Sequence, residues 1–177
     1  TIYDNDPPPK LSFAQNTSQS LENAVTHSID IVRTGSTAGT ASAQVRINYG
    51  PLTTASSSED FTYPTYKTVN FAAGESVKSV SVDILNDDTD EINEFIRFQL
   101  YNIIGAGSES SSILFHSLEI IDDDLPPTVE FTSETSQNYE TNGAPLIFIE
   151  LDKASAKDVS VSYTKIETLP FPASFGA

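Results

Sequence analysis

Five carboxylates crowd one short segment of this chain, NDDTDEINE at residues 86–94. No Lys or Arg lies between Ser79 and Ile96, and like charges at this density oppose a compact fold unless something offsets them. Calcium is a hard cation that takes about six to eight oxygen ligands, and the segment offers oxygen ligands without His or Cys. Taken alone, an acidic run of this kind is more often a solvated loop than a metal site, so the segment leaves a calcium site and a solvated acidic loop both open.

The charge of the whole chain favours the same class of ligand. Its 177 residues carry 25 acidic and 9 basic side chains, for a formal net charge of −16. Such a field repels nucleic acid and anionic lipid and favours cations or basic partners. The chain has no Cys, and no apolar run approaches the roughly 18 residues that span a bilayer. We therefore expect no disulfide, no nucleic-acid partner and no membrane insertion in this segment.

Catalytic chemistry finds less support in the sequence. His27 and His116 lie in strand-like runs far apart in the chain, with no identifiable partner for a metal site, so we interpret them as ordinary strand histidines. No GxSxG segment occurs, and crowded carboxylates suit a cation better than the acid–base pair of a glycosidase. We expect no enzymatic activity. Phe61, Tyr63 and Tyr66 leave a sugar-stacking platform as an alternative, although such residues usually serve packing in β-rich domains.

An internal repeat organises the chain. Displacing the sequence by 118 positions lays residues 2–22 over residues 120–140 with ten identities in 21 pairs. The identical pairs include Asp4 with Asp122, Asp6 with Asp124, Pro8 with Pro126, Pro9 with Pro127, Phe13 with Phe131 and Glu22 with Glu140. A repeat at a fixed spacing is typical of a tandem array.

The repeat predicts three parts. Residues 1–8 form the tail of a preceding unit and a linker, residues 9–124 one complete unit, and residues 125–177 a linker and a partial second unit. The partial unit supplies about three strands and lacks the acidic loop. We therefore expect further sequence or another chain to complete it, and we expect weak metal binding at Asp4 and Asp6, whose partner loops belong to a missing unit.

The elements that must position the carboxylates are strands. Apolar residues alternate with polar ones in seven runs separated by Gly, Ser, Asn and Pro, and no window of helical period competes. The runs contain Leu11 and Phe13; Ile29 and Ile31; Val45, Ile47 and Tyr49; Val69 and Phe71; Val80, Val82 and Ile84; Ile96, Phe98 and Leu100; and Leu114, Leu118 and Ile120. The prediction is all-β: a two-sheet antiparallel immunoglobulin-like sandwich of about seven strands, followed by the first strands of a second such repeat.

Seven ordered motifs carry a family resemblance. They are SLENA around Glu22, VRTG at 32–35, EDF at 59–61, VNFAAGE at 69–75, VSVDILNDD at 80–88, EINEFIRFQL at 91–100 and LEIIDDD at 118–124. Through these motifs residues 10–124 resemble the Calx-β domain, a repeat of the regulatory loop of sodium/calcium exchangers and of many surface proteins. The resemblance implies two packed sheets with calcium held where several loops meet at one end.

The resemblance also implies the ligands. The matching positions are Glu22, Asp60, Asn86, Asp87, Asp88, Thr89, Glu91, Glu94, Asp122, Asp123 and Asp124. We expect Glu91 and the triplet at 122–124 to be central. Asn86 stands where the family often has an acid, which drops one charge and predicts fewer or weaker ions.

The function expected from these observations is a calcium-binding structural or adhesive repeat of a larger extracellular or cell-surface protein, with calcium stiffening the joint between repeats. Its expected partners are calcium ions, neighbouring repeats, and another protein or a polysaccharide. Two alternatives stay open, a carbohydrate-binding module attached to an extracellular enzyme and a calcium-sensor regulatory domain.

Overall fold

The computed structural model describes residues 7–108, 111–137, 139, 143 and 146–166. Asp4 and Asp6, together with the C-terminal residues 167–177, lie outside the described residues. Among the described residues, no helix has the length and apolar character needed to cross a membrane. The described secondary structure is almost entirely strand, as the alternating sequence pattern predicts.

Ten strands build the first unit and two belong to the second. They are β1 (Lys10–Phe13), β2 (Thr17–Leu21), β3 (Thr26–Thr34), β4 (Ala41–Ile47), β5 (Phe61–Thr62), β6 (Lys67–Phe71), β7 (Val77–Ile84), β8 (Glu94–Ile104), β9 (Gly107–Ser108), β10 (Phe115–Ile121), β11 (Val129–Phe131) and β12 (Ile149–Leu151). Two 3-10 helices, Glu22–Ala24 and Ser111–Leu114, complete the described elements.

Two five-stranded sheets form a sandwich, which confirms the predicted fold class. One sheet has the order β5-β7-β3-β1-β9 and the other β2-β10-β8-β4-β6. The strands β2, β5 and β9 were not predicted, because TSQSL is polar and the other two are two residues long. The sheets are also not purely antiparallel, since β2 pairs in parallel with β10 and β9 pairs in parallel with β1.

The core between the sheets consists of the alternating apolar residues. Its largest fully buried side chains are Phe13, Phe61, Phe71, Phe98, Leu11, Ile31, Ile96, Leu100, Leu118, Val45 and Val82. Two predicted strand residues behave differently: Tyr49 lies beyond the end of β4 with 67% of its surface exposed, and Leu114 lies in a 3-10 helix. Burial of one face of each strand fixes the register, because a slip of one residue would expose that whole face.

The second unit contributes a two-stranded antiparallel sheet of β11 and β12. The strand expected around Val159, Val161 and Tyr163 is absent, because these described residues form no strand and their side chains are exposed. Phe131 and Ile149 on the paired strands are also exposed. A sheet of two strands has too few neighbours to bury an apolar face.

The topology gathers the ends of several strands around the acidic residues. Glu22 directly follows β2, Asp60 directly precedes β5, and Asp122 directly follows β10. The acidic loop connects β7 to β8, whose first residue is Glu94. Because each of these residues continues a strand of the sandwich, the core determines where its backbone lies.

Gly35 provides a test of this scaffold. It follows β3 with a φ of +74°, and a Cβ at this position would lie 2.8 Å from the carbonyl oxygen of Pro7 and closer still to that of Pro8. A left-handed backbone costs other residues about 1–2 kcal/mol. Gly35→Ala is therefore expected to lower the free energy of unfolding in urea by at least about 1 kcal/mol.

Gly39→Ala is the matched control, because a Cβ at Gly39 meets nothing within 4 Å and its φ is not positive. We expect the control to change the free energy of unfolding by less than about 0.5 kcal/mol. Equal losses of stability in the two variants would contradict the proposed role of Gly35.

Candidate metal centre

Six carboxylates converge in two adjacent groups at one pole of the sandwich. One group consists of Glu22, Asp122 and Asp124, and the other of Asp60, Glu91 and Glu94. Within each group, the carboxylate oxygens lie within 4.8 Å of one another. A shared small cavity is lined by members of both groups, with Ile92 and Ile120 as apolar walls. All six residues were predicted from the sequence as ligands.

Short local structures hold the two earliest acids in place. Glu22 opens the 3-10 helix Glu22–Ala24 and is buried, with Oε1 accepting a hydrogen bond from the backbone N–H of Asp87 at 3.3 Å. Asp60 accepts a hydrogen bond from the backbone N–H of Ser56 through Oδ2, which closes the turn before β5. The backbone N–H of Leu85 donates to the carbonyl of Asp60 at 2.9 Å. These bonds tie the two acids to the acidic loop and the end of β7.

Crowding and burial disfavour the charged form of these carboxylates. Desolvation by burial raises the pKa of Glu22 to about 7, and the negative charges of Asp87, Asp124 and Glu91 add to the shift. Burial likewise raises the pKa of Glu94 to about 8, with the hydrogen-bonded neighbour Asp60 as the next cause. The site therefore carries protons near neutral pH unless a cation replaces them.

Glu94 shows the clearest need for a ligand. Its Oε2 is buried and has no hydrogen-bond partner among the described residues. A buried carboxylate oxygen without a partner is costly, and a bound cation would satisfy it. The donor set consists of carboxylate oxygens from four separate chain segments, which fits the hard-cation chemistry of calcium. The residues of the site therefore fit the ion that the sequence indicated.

Of the acidic segment, only Glu91 and Glu94 belong to the two carboxylate groups. Asn86 donates through Nδ2 to the carbonyl of Asp87 at 2.8 Å, and Oδ1 of Asp87 accepts from the backbone N–H of Thr89 at 2.6 Å. The side chain of Asp88 is exposed, like those of Asn86 and Asp87. These four predicted ligands form the rim of the site, with Asp87 beside Glu22.

The terminal Asp triplet separates into two orientations. Asp122 accepts from the backbone N–H of Glu91 at 3.1 Å, and its neighbour two residues on, Asp124, belongs to the same carboxylate group. The predicted ligand Asp123 is exposed and accepts a hydrogen bond from Asn23 instead. Neighbouring residues of an extended segment point to opposite sides, so only alternate members of the triplet reach the groups.

Asp90 is a site residue that the ligand prediction omitted. It is only 4% exposed, and its Oδ1 lies 2.5 Å from the ammonium of Lys157 in the second unit. The same ammonium lies 3.0 Å from Oδ2 of Asp122. The hydroxyl of Ser155 donates to Asp90 at 3.1 Å, and the backbone N–H of Ala156 donates to its carbonyl at 3.0 Å. Lys157 holds the pKa of Asp90 below its usual range.

The second unit thus supplies the counter-charge that the acidic segment lacks in sequence. Besides Lys157, the ammonium of Lys153 donates to the carbonyl of Asp88 at 3.2 Å and lies 4.0 Å from Asp124. The inference that no basic residue lies near the acidic segment is correct along the chain but wrong in the folded structure. The available signal in the sequence was the pair of lysines in DKASAK, the segment after β12. These lysines lie about 65 residues from the acidic loop along the chain, so a local pattern could not predict the contact.

The aromatic residues weighed for sugar binding do not form one exposed platform. Phe61 is fully buried in the core, and Tyr63 packs edge-on against Phe98 with ring centroids 5.4 Å apart. Tyr66 is about half exposed.

The two histidines, by contrast, lie close together in space, since both contact the hydroxyl of Ser18. Both are strand residues, as predicted, and neither belongs to a cluster of metal-ligating side chains among the described residues.

Comparisons with known sequences agree with the motifs. Sodium/calcium exchanger 1 of Mus musculus is 27% identical over 183 residues, which cover 94% of this chain and 18% of the exchanger. The same exchanger of Canis lupus familiaris is 35% identical over 111 residues, covering 62% of this chain and 11% of its own length. This chain thus spans less than a fifth of the curated relatives that it matches.

Comparisons with solved structures show the same fold. The apo-form Calx CBD1 domain superposes with a TM-score of 0.60 at 23% identity, covering 67% of this chain and all of that domain. The calcium binding domain CBD12 of CALX1.1 gives the same TM-score and identity over 70% of this chain and 50% of its own. The family model of the Calx-beta domain matches residues 4–109 and 122–168. The chain therefore belongs to the Calx-beta family.

Proposed function

We propose that this protein is a non-catalytic calcium-binding module in which the ion also sets the geometry of the junction between successive repeats. The observation that carries the proposal is the pair of adjacent carboxylate groups, in which Oε2 of Glu94 is buried without a partner among the described residues. A cation at this pole removes the repulsion within both groups and satisfies that oxygen.

Asp122 connects the carboxylate site to the junction between the two units. This residue belongs to a carboxylate group and also contacts Lys157, so one side chain links the ion site to the second unit. Six carboxylates exceed the charge of a single divalent ion, and the two lysines balance part of the remainder. The ion would hold the end of β10, and the proline linker that follows would leave the pole in one direction.

Two settings for the module are distinguished by affinity. A structural repeat of an extracellular or surface protein, our proposal, is expected to bind calcium with a dissociation constant of about 10⁻⁴–10⁻³ M. The second candidate is a regulatory calcium sensor, which the similarity to sodium/calcium exchangers favours. A sensor is expected to bind at about 10⁻⁷–10⁻⁵ M. Isothermal titration calorimetry decides between them, and a dissociation constant below about 10⁻⁵ M would overturn the structural setting.

Calcium is expected to stabilise the fold. An ion that binds only the folded state adds about 2.7 kcal/mol at 100 times its dissociation constant. Glu94→Gln should lose much of this gain, because it removes a charge from the site. The same variant should be at least as stable as the native protein in excess chelator, because Gln is a neutral substitute for a carboxyl that is protonated near neutral pH and repels its neighbours only above about pH 8. Differential scanning calorimetry with excess calcium and with excess chelator measures both effects.

Asp123→Asn is the matched control for Glu94→Gln. It removes one negative charge at the same pole, but the side chain contacts Asn23 and belongs to neither carboxylate group. We expect the control to keep most of the calcium-dependent rise in melting temperature. A native protein with the same midpoint in calcium and in chelator would rule out the metal site.

The raised pKa values predict an unusual pH dependence without calcium. A carboxyl whose folded pKa exceeds its unfolded value binds more protons when folded, so its contribution to stability is lost as pH rises through the folded pKa. For Glu22 at about 7 and Glu94 at about 8, against 4.5 for the free carboxyl, stability is lost progressively from about pH 4.5 to about pH 8. Urea unfolding in chelator should show lower stability at the higher pH. A flat or rising profile would contradict the buried, charge-crowded site.

Lys157 is expected to hold the second unit at the pole. Lys157→Gln should increase amide hydrogen exchange at Ala156, whose N–H donates to Asp90, because the ion pairs to Asp90 and Asp122 are lost. Lys78→Gln makes the same charge change at the exposed pair with Glu75 and should leave Ala156 protected. Equal exchange in the two variants would show that Lys157 does not anchor the junction.

A further inference from the structure

A chain of hydrogen bonds links the two sheets at a position away from the acidic pole. His27 lies on β3 of one sheet, whereas Ser18 on β2 and His116 on β10 belong to the other. The hydroxyl oxygen of Ser18 lies 2.8 Å from Nε2 of His27 and 2.7 Å from Nε2 of His116. These are the only two histidines in the sequence.

The direction of each proton follows from the partner of His116. Its Nδ1 lies 2.9 Å from the carbonyl oxygen of Gln15, which can only accept, so Nδ1 is the donor. In a neutral imidazole the other nitrogen then accepts, and Ser18 donates its single proton to Nε2 of His116. The oxygen of Ser18 is left to accept from Nε2–H of His27. We call this ordered chain from His27 through Ser18 and His116 to Gln15 the histidine relay.

The His116 end of the relay lies in an apolar interior, whereas Ser18 and His27 are partly exposed. His116 is 3% exposed, and its ring centroid lies 5.5 Å from that of Phe13 and 6.4 Å from that of Phe98. On the strands around the relay, most charged residues occupy the alternate positions that face away from the core. They are Lys10 on β1, Asp30 on β3, Asp83 on β7, Arg97 on β8 and Glu119 on β10. The exceptions are Arg33 of β3, which is buried and donates to the carbonyl of Gly39; Lys78 of β7, which pairs with Glu75; and Glu94 of β8 at the acidic pole.

Among the described residues, no carboxylate contacts either imidazole of the relay. Asp30 accepts from Ser79, and Glu119 accepts from Gln19 and Asn93. Burial lowers the pKa of both histidines, and for His116 the proximity of His27 adds to the lowering. A group with a depressed cationic pKa binds fewer protons when folded than when unfolded. Its destabilising effect therefore grows as pH falls below about 6.5, the unfolded value.

We propose that the histidine relay is an acid-sensitive clamp that holds β2 in the sandwich and releases it when His116 is protonated. A proton on Nε2 of His116 turns the acceptor of the Ser18 hydroxyl into a second donor. The oxygen of Ser18 can accept from both rings, but its own proton is left without an acceptor in the relay. The resulting imidazolium is buried without a counter-ion. Among the described strands, β2 is an edge strand that pairs with β10, so its displacement lets water reach the charged ring of His116.

Release of β2 has a consequence for the metal centre. The strand ends at Leu21, and the next residue is Glu22 of the first carboxylate group. Loss of β2 order would free Glu22 and weaken calcium binding in acid, beyond the direct protonation of the carboxylates. This part of the inference rests on the proposed calcium function, whereas the acid-sensitive clamp does not.

The test of the clamp is performed in excess chelator. Imidazole proton resonances and amide hydrogen exchange, corrected for the intrinsic effect of pH, are followed from about pH 7.5 to 5.5. Both histidines should titrate below their ordinary value of about 6.5. Exchange protection of the β2 amides should fall relative to β8, by up to about tenfold per pH unit, since each unit changes the protonated-to-neutral ratio tenfold.

Two serine variants on β2 separate the clamp from general acid effects. Ser18→Ala breaks the relay at every pH but keeps both histidines, so the β2 amides should exchange fast throughout with no acid-dependent step. Ser20→Ala changes a serine of the same strand outside the relay and should keep the acid-dependent step. Retention of the step in Ser18→Ala, or titration of His116 at its ordinary value, would overturn the clamp.

The link to calcium is tested separately with His116→Gln. The loss of calcium affinity between about pH 7.5 and 5.5 should be smaller in this variant than in the native protein, because carboxylate protonation is common to both. If the variant does not fold, Ser18→Ala takes its place in the comparison. Equal losses of calcium affinity in the two proteins would overturn the link to Glu22. Absence of calcium binding at every pH would overturn the proposed function, whereas the clamp would still be tested by the hydrogen-exchange result.

Discussion

Electrostatic repulsion among the carboxylates at one pole is the constraint on which the rest of the structure depends. Six of them lie in two groups, and burial of Glu22 and Glu94 raises their pKa values toward neutrality. A fold cannot keep such charges together without protons, ammonium groups or metal ions. The structure shows two of these solutions at once, in the raised pKa values and in the contacts of Lys153 and Lys157.

One strand links the main parts of the molecule. Within a single run of seven residues, β10 carries His116 in the core and Leu118 among the fully buried residues, and it pairs with β2. Directly after its end, Asp122 enters the carboxylate site and contacts Lys157 of the second unit. A change in order at this strand therefore reaches the core, the metal centre and the junction together. Coupling of this kind is reciprocal in free energy: if calcium favours one arrangement of the junction, that arrangement favours calcium.

The sequence was most informative where the pattern was local. Alternation over a few residues located most strands, because burial of one face imposes a period of two, and nearly all of the predicted alternating residues lie in the core. The six converging carboxylates were predicted from the family motifs in which they lie, although β2 and β5, the strands next to Glu22 and Asp60, were not themselves predicted. The rim residues Asn86, Asp87, Asp88 and Thr89, and the outward-facing Asp123, were less predictable. A loop without periodicity does not reveal which side chains turn inward.

The sequence by itself determined the fold class, the repeat and the identity of the six converging acids, since periodicity, self-similarity and the family motifs are written along the chain. Only the tertiary structure decided the contacts across the sandwich and between units. It brought Lys157 beside Asp90 and placed His27 and His116 on one hydroxyl. It also paired the polar strand β2 in parallel with β10. These contacts join residues from about nine to one hundred positions apart, and their energies depend on desolvation and geometry, which no local pattern encodes.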